Sequence, residues 1–210
     1  MRFNPMEIER RSMEIIESEL AVPLDEEVKP IVKRVVHATA DFSFAENLRF
    51  APGAVGRMRE MLVAGATIVT DTNMALSGIN RAAAKKLNAT LRCDMADASV
   101  AAEAKARGVT RASVCVERAL EEQGNVLFAC GNAPTALIRM LELLDGRTPE
   151  NLAVIGVPVG FVNVMEAKQM LWESGLTCIT ALGRRGGSSV AAAIVNALMY
   201  GIEGVRANGM

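Results

Sequence analysis

The sequence predicts an α/β protein, a three-layer sandwich around a five-stranded, mainly parallel sheet with helices leading into it. Three observations carry this expectation. From about residue 65 onward, short apolar runs alternate with segments of helical length and spacing. That alternation is the signature of right-handed crossovers and of a parallel sheet covered on both faces. Before residue 65 the apolar spacing is helical only. Finally, 210 residues with 50% hydrophobic side chains can bury one sizeable core. Residues 1–210 therefore read as one domain, with a helical segment over 1–64 and the strand–helix alternation over 65–210.

The elements follow in order. Residues 4–20 form a first helix with Ile8, Met13, Ile15, Ile16 and Leu20 as a broken apolar face, stopped by Pro23. Residues 26–37 form a second, with Val28, Ile31, Val32, Val35 and Val36 at helical spacing and Pro30 in the tolerant first turns. Residues 52–64 form a third. Strands are expected at 66–71 (ATIVTD), 90–94 (TLRCD), 126–131 (VLFACG), 152–157 (LAVIGV) and 177–183 (TCITALG). Helices are expected at 98–106, 111–121, 133–144, 162–174 and 188–200. In a doubly wound sheet of this kind, ligands lie beyond the carboxyl ends of the strands.

Composition excludes several classes of function. Lys and Arg number 23 against 24 Asp and Glu, a net charge of −1, so no general nucleic-acid surface is expected. Aromatics at 4% are too few for base-stacking platforms. The four cysteines, Cys93, Cys115, Cys130 and Cys178, form no C-x-x-C pair and read as buried, reduced thiols. The N-terminal stretch MRFNPMEIERRSMEII lacks the apolar region of a secretory signal, and VAAAIVNALMYGI is too short to span a bilayer. A cytoplasmic protein without membrane attachment is the expectation.

The predicted strand ends read TDTNMALSG, CGNAPTAL, VPVGFVN and LGRRGGSSV. Each leads toward a helix, and free N–H groups at helix starts attract anions. Thr72 and Asn73 follow the first strand, where an Asp or Thr cap is the plain reading and hydrogen bonding to a ligand the functional one. Asn132 sits in the CGNAPTAL turn. Arg184, Arg185 and Gly186 stand in the last turn, where an ordinary capped turn with solvated arginines is the competing reading. Arg111 opens a helix, a position unfavourable for a cation, which favours a ligand-binding role. No G-x-G-x-x-G or G-x-x-x-x-G-K-[ST] loop follows the first strand, which counts against a nucleotide-dependent enzyme.

His37 is the only histidine. It shares a helix face with Arg34, three residues before it. A lone imidazole cannot complete a histidine metal site, but its intrinsic pKa suits proton transfer near neutral pH. A bystander imidazole is the competing reading.

Taken together, the segments KRVVHATADF, TDTNMALSGIN, GVTRA, GNAPTAL, GVPVGFV and GRRGGS occur here in an order that resembles the precorrin-8X methylmutase family of cobalamin biosynthesis. The likeness spans nearly the whole chain. The forms TADF, TDTNMALSGIN and VAAAIVNAL look more like the cobalt-precorrin-8 branch. Two departures stand out: Met165-Glu166-Ala167-Lys168 where the family commonly has Ala-Glu-Ser-Lys, and SVCVE after GVTRA.

The resemblance implies an isomerase that moves a methyl group from C-11 to C-12 of a tetrapyrrole, giving a cobyrinate or its metal-free counterpart. It implies His37 as the proton donor and acceptor, Ser12 and Arg34 as substrate-binding residues, and Arg111 as an active-site arginine. It further implies an α/β sandwich, a homodimer with the pocket near the interface, and no cofactor, since any cobalt belongs to the substrate. A methyl shift of this kind needs a rigid cavity and one placed proton, which a single histidine supplies. The substrate's carboxylates match a rim of glycine turns, helix starts and arginines. A corrinoid carrier using His37 as an axial cobalt ligand is the alternative reading.

Overall fold

The computed structural model describes residues 4–205. Two helices come first, α1 (Pro5–Glu19) and α2 (Lys29–Thr39), then α3 (Phe44–Asn47), β1 (Leu48–Phe50) and α4 (Ala54–Val63). The alternating part contains β2 (Thr67–Thr70), α5 (Asn73–Gly78), α6 (Arg81–Lys86), β3 (Thr90–Arg92), α7 (Ala98–Arg107), α8 (Arg111–Leu120) and β4 (Val126–Cys130). It closes with α9 (Pro134–Leu144), β5 (Leu152–Gly156), α10 (Val164–Glu173), β6 (Thr177–Ala181) and α11 (Ser188–Tyr200).

The sheet has six strands in the order β1-β6-β5-β4-β2-β3, one more than the sequence predicts. The extra strand is β1, paired antiparallel to β6 with Leu48 opposite Ala181 and Phe50 opposite Ile179. Its three residues stand among helical segments, outside the strand–helix alternation, and they pair where an open sheet edge accepts their hydrogen bonds. The other five strands are parallel. The short α3, α5 and α6 also went unread. The last two are six residues each, too brief for periodicity, and are announced only by their caps, Thr72 and Asn80.

Alternate strand residues feed two cores. Ile68, Leu127, Ala129, Ala153, Ile155 and Ile179 face α2, α4, α6 and α11. Val69, Val126, Phe128, Cys130, Val154 and Cys178 face α8, α9 and α10. Because both faces are covered, the parallel strands read as continuous apolar runs. Among the described residues no helix is long and apolar enough to cross a membrane.

Helix α2 deserves its place in the architecture. Its stripe Ile31, Val32, Val35 and Val36 is buried against the first core. It ends at Ala40, whose left-handed φ of 53° closes the last turn through an N–H bond to Val36. Arg34 meets Tyr200 near the end of α11, while Asp41 meets Arg185 just before α11 begins. The two helices are therefore antiparallel, and α2 aims its carboxyl end at the carboxyl rim of the sheet.

Candidate active site

From β2 the chain steps to β3 on one side, then returns to β4 on the other. This reversal is the switch point at which doubly wound folds open a crevice. Here Asp71, which is buried, occupies the reversal. Its carboxylate accepts hydrogen bonds from the backbone N–H groups of Gly131 (2.8 Å), Asn132 (2.7 Å) and Ala133 (2.7 Å). The Cys130 thiol donates to the same carboxylate at 3.4 Å. Burial, then the neighbouring Asp71, push that thiol well above its usual pKa. The amides after β4 thus serve an internal anion, which corrects the expectation that this turn offers its backbone to a ligand. The Asn132 side chain remains exposed. Capping falls to Thr72, whose hydroxyl accepts from the Ala75 N–H.

The turns after β4, β5 and β6 are pressed into one ledge. The Gly187 N–H donates to Val157 O at 2.9 Å. A Cβ on Gly186 would stand 2.1 Å from that oxygen, and one on Gly131 would stand 2.7 Å from the Ser188 Cα. Glycine is required at both positions by this approach of backbone to backbone. Thr72 Oγ1 and Ser188 Oγ lie 2.7 Å apart, tying the turn after β2 to the same ledge.

The arginines stand around it. Arg184 is exposed, its guanidinium 5.5 Å from the centroid of the Phe161 ring. Arg185 bridges to Asp41 (3.0 Å) and donates to the Ser43 hydroxyl (2.6 Å), both just past the end of α2. Ser43, followed by Arg185, holds the Asp41 carboxyl below its usual range. Arg111 is exposed in the first turn of α8, whose cap Thr110 lies 3.3 Å from the Thr135 hydroxyl at the start of α9. Asn73 is exposed at the first position of α5.

His37 lies on the exposed face of α2, one turn after Lys33 and Arg34 and one turn before Asp41. Among the described residues its ring has no hydrogen-bond partner. Arg34 is already engaged: it pairs with Glu9 of α1 at 2.7 Å and lies 4.9 Å from the Tyr200 ring. Lys33 pairs with Glu17 at 2.7 Å. These pairs clamp α1 along α2. The Ser12 hydroxyl donates to Ile8 O within α1. Beside them a cleft of about 510 Å³ opens among Met13, Glu17, Lys29, Lys33, Arg34 and Tyr200.

The predicted residues therefore fall into two groups. Thr72, Arg184, Arg185 and Gly186 share the ledge, with Asn73, Asn132 and Arg111 around it. Ser12, Arg34 and His37 belong to the α1–α2 side. The Arg185–Asp41 bridge joins the two. Sequence reasoning, which reads Asp71 as a cap or a ligand contact, missed three roles: Asp71 as the internal anchor of the turn after β4, Asp41, and Lys168. The last carried a readable signal, since a lysine stands in the stripe Val164, Ala167, Lys168, Leu171, whose spacing marks a buried helix face.

Fold and site define a doubly wound α/β protein whose strand ends form a ledge of glycines and arginines, on the same side as a single exposed imidazole. A family model described as precorrin-8X methylmutase matches residues 7–201. The cobalt-precorrin-8 methylmutase of Salmonella typhimurium is 45% identical over 181 residues, covering 86% of this chain and 83% of that protein. The precorrin-8X methylmutase of Pseudomonas aeruginosa is 39% identical, covering 91% and 93%. A crystal structure of precorrin-8X methylmutase from Thermus thermophilus superposes with a TM-score of 0.83 at 34% identity, covering 92% of this chain and 96% of that one. The chain belongs to the precorrin-8X methylmutase family, and it is an isomerase of cobalamin biosynthesis.

Proposed function

We propose that this chain moves a methyl group from C-11 to C-12 of cobalt-precorrin-8, with His37 as the proton donor and acceptor. The methyl bond to C-11 breaks as the bond to C-12 forms, so the composition of the macrocycle is unchanged. Proton placement on the conjugated system is the step a side chain accelerates, by roughly 10²–10⁴-fold. One observation carries the reading: the only imidazole is exposed, without a hydrogen-bond partner among the described residues, on a helix pinned by Asp41 to the arginine ledge. Arg184, Arg185 and Arg111 receive substrate carboxylates, helped by Thr72, Asn73 and Asn132. Arg34 joins them by exchanging Glu9 for a substrate carboxylate, and Ser12 contributes from α1. Cobalt belongs to the substrate in this reading. The 45% identical relative carrying the cobalt-precorrin name supports that choice.

Met74, Phe161 and Val162, at 73%, 82% and 77% exposure, stand out around the ledge. We assign the cover over this apolar rim to a second copy of the chain, which would close the pocket over the macrocycle.

The test is turnover of cobalt-precorrin-8 and of precorrin-8X, followed by visible absorption, in the wild type and in His37→Ala. The variant should bind within about threefold of wild type and lose about 10²-fold or more in kcat. Wild-type turnover by the variant would remove His37 from the chemistry. Faster turnover of the metal-free substrate would reverse the choice of branch.

A further inference from the structure

Lys168 lies on α10 and is fully buried, at 0% exposure. Its Nζ donates to the backbone oxygens of Gly183 (3.0 Å) and Arg185 (2.6 Å). It thus grips the β6–α11 loop on both sides of Arg184. Among the described residues no carboxylate pairs with it. Burying an ammonium costs several kcal/mol unless hydrogen bonds compensate, and Leu or Met would fill this position on an apolar stripe without that cost. What the charge gains in return is two oxygens of one loop. Desolvation lowers its pKa to about 8, with Cys130 the titratable neighbour acting in the other direction.

The loop has few other anchors. The Gly160 N–H donates to Arg184 O, and the Gly187 N–H to Val157 O. Gly186 is jammed against that same Val157 oxygen. The two arginine side chains then leave in different directions, Arg184 over Phe161 and Arg185 toward Asp41. Both leave from the segment whose flanking backbone oxygens Lys168 holds.

We propose that Lys168 is a positioning residue, which fixes the loop so that Arg184 and Arg185 present their guanidinium groups to the substrate's carboxylates. This rests on the ledge being the carboxylate-binding rim.

The experiment compares Lys168→Met with the double variant Arg184→Ala/Arg185→Ala in steady-state kinetics on cobalt-precorrin-8, together with amide hydrogen exchange. In Lys168→Met, KM should rise about tenfold with kcat within about threefold, as expected for losing charge-assisted bonds that serve binding and not chemistry. The Gly160 and Gly187 amides should exchange faster, while those of Leu127 and Val154 stay protected. A rise in KM for the double arginine variant with an unmoved KM in Lys168→Met overturns this inference alone. An unmoved KM in the double variant overturns the rim reading and this inference with it. Unchanged exchange at Gly160 and Gly187 in Lys168→Met also overturns it. If Lys168→Met does not fold, Lys168→Gln keeps amide donors on a shorter arm; an intermediate KM is expected, and a wild-type KM overturns the proposal.

Discussion

Asp71 turns three backbone N–H groups inward, and that decides what the turn after β4 can do. Replacing it with alanine strands buried donors, each worth about 1–3 kcal/mol. Asp71→Ala should therefore lose about 3 kcal/mol and melt about 6–12 °C lower by circular dichroism, at a few degrees per kcal/mol for this size. A melting temperature within about 1 °C of wild type would deny the carboxylate its structural role. His37 is the counterpart: an exposed ring without partners among the described residues contributes little to stability. Burial pushes the Cys115 and Cys178 thiols up to about 11, so neither is a nucleophile at neutral pH. His37 and the arginines could be nominated from the sequence because residue type announces the chemistry a side chain is able to do. Asp71 and Lys168 were not fully legible, since their partners stand 60 and 15 residues away across the fold.

Among elements, one side chain ties α7, α8 and α9 together. Glu117 of α8 accepts from Arg107 at the end of α7 (2.6 and 2.9 Å) and from Arg139 of α9 (2.8 Å). These partners, Arg107 first, hold its pKa at about 2, below the usual 4.5. Since the folded value lies below the unfolded one, the stabilisation is full above about pH 5 and fades as pH falls toward 2. Its partners are partly solvated, so the contribution at neutral pH is about 1 kcal/mol. Glu117→Gln should lose that amount in urea denaturation at pH 7 and a clearly smaller amount near pH 2.5; an equal loss at both pH values would contradict the assignment. The long elements here were readable from periodicity, and α11 matches its expected range of 188–200. Helices α3, α5 and α6 were not, because they hold less than two turns of pattern, and β1 was not, because it lies outside the strand–helix alternation that marked the equally short β3.

For the whole molecule, a net charge of −1 supplies no long-range field to gather a polyanion, so the capture proposed for the ledge rests on local groups. The exposed Met74, Phe161 and Val162 beside that ledge lead to the expectation of a dimer in sedimentation velocity at micromolar concentration. A monomer throughout that range would remove the second copy as the cover. Alternation of period, composition and residue type were enough to predict an α/β sheet wound in both directions, and to nominate a ligand edge at its strand ends and one candidate acid. Those properties are local, and each is written in a window of a few residues. The antiparallel edge strand, the carboxylate filling the switch point, the pairing of Arg34 with Glu9 and the lysine under the arginine loop were decided by tertiary structure alone. Each depends on groups distant in the chain meeting, and for Asp71 and Lys168 they meet in a dry interior, where an unpaired charge or N–H is too costly to leave.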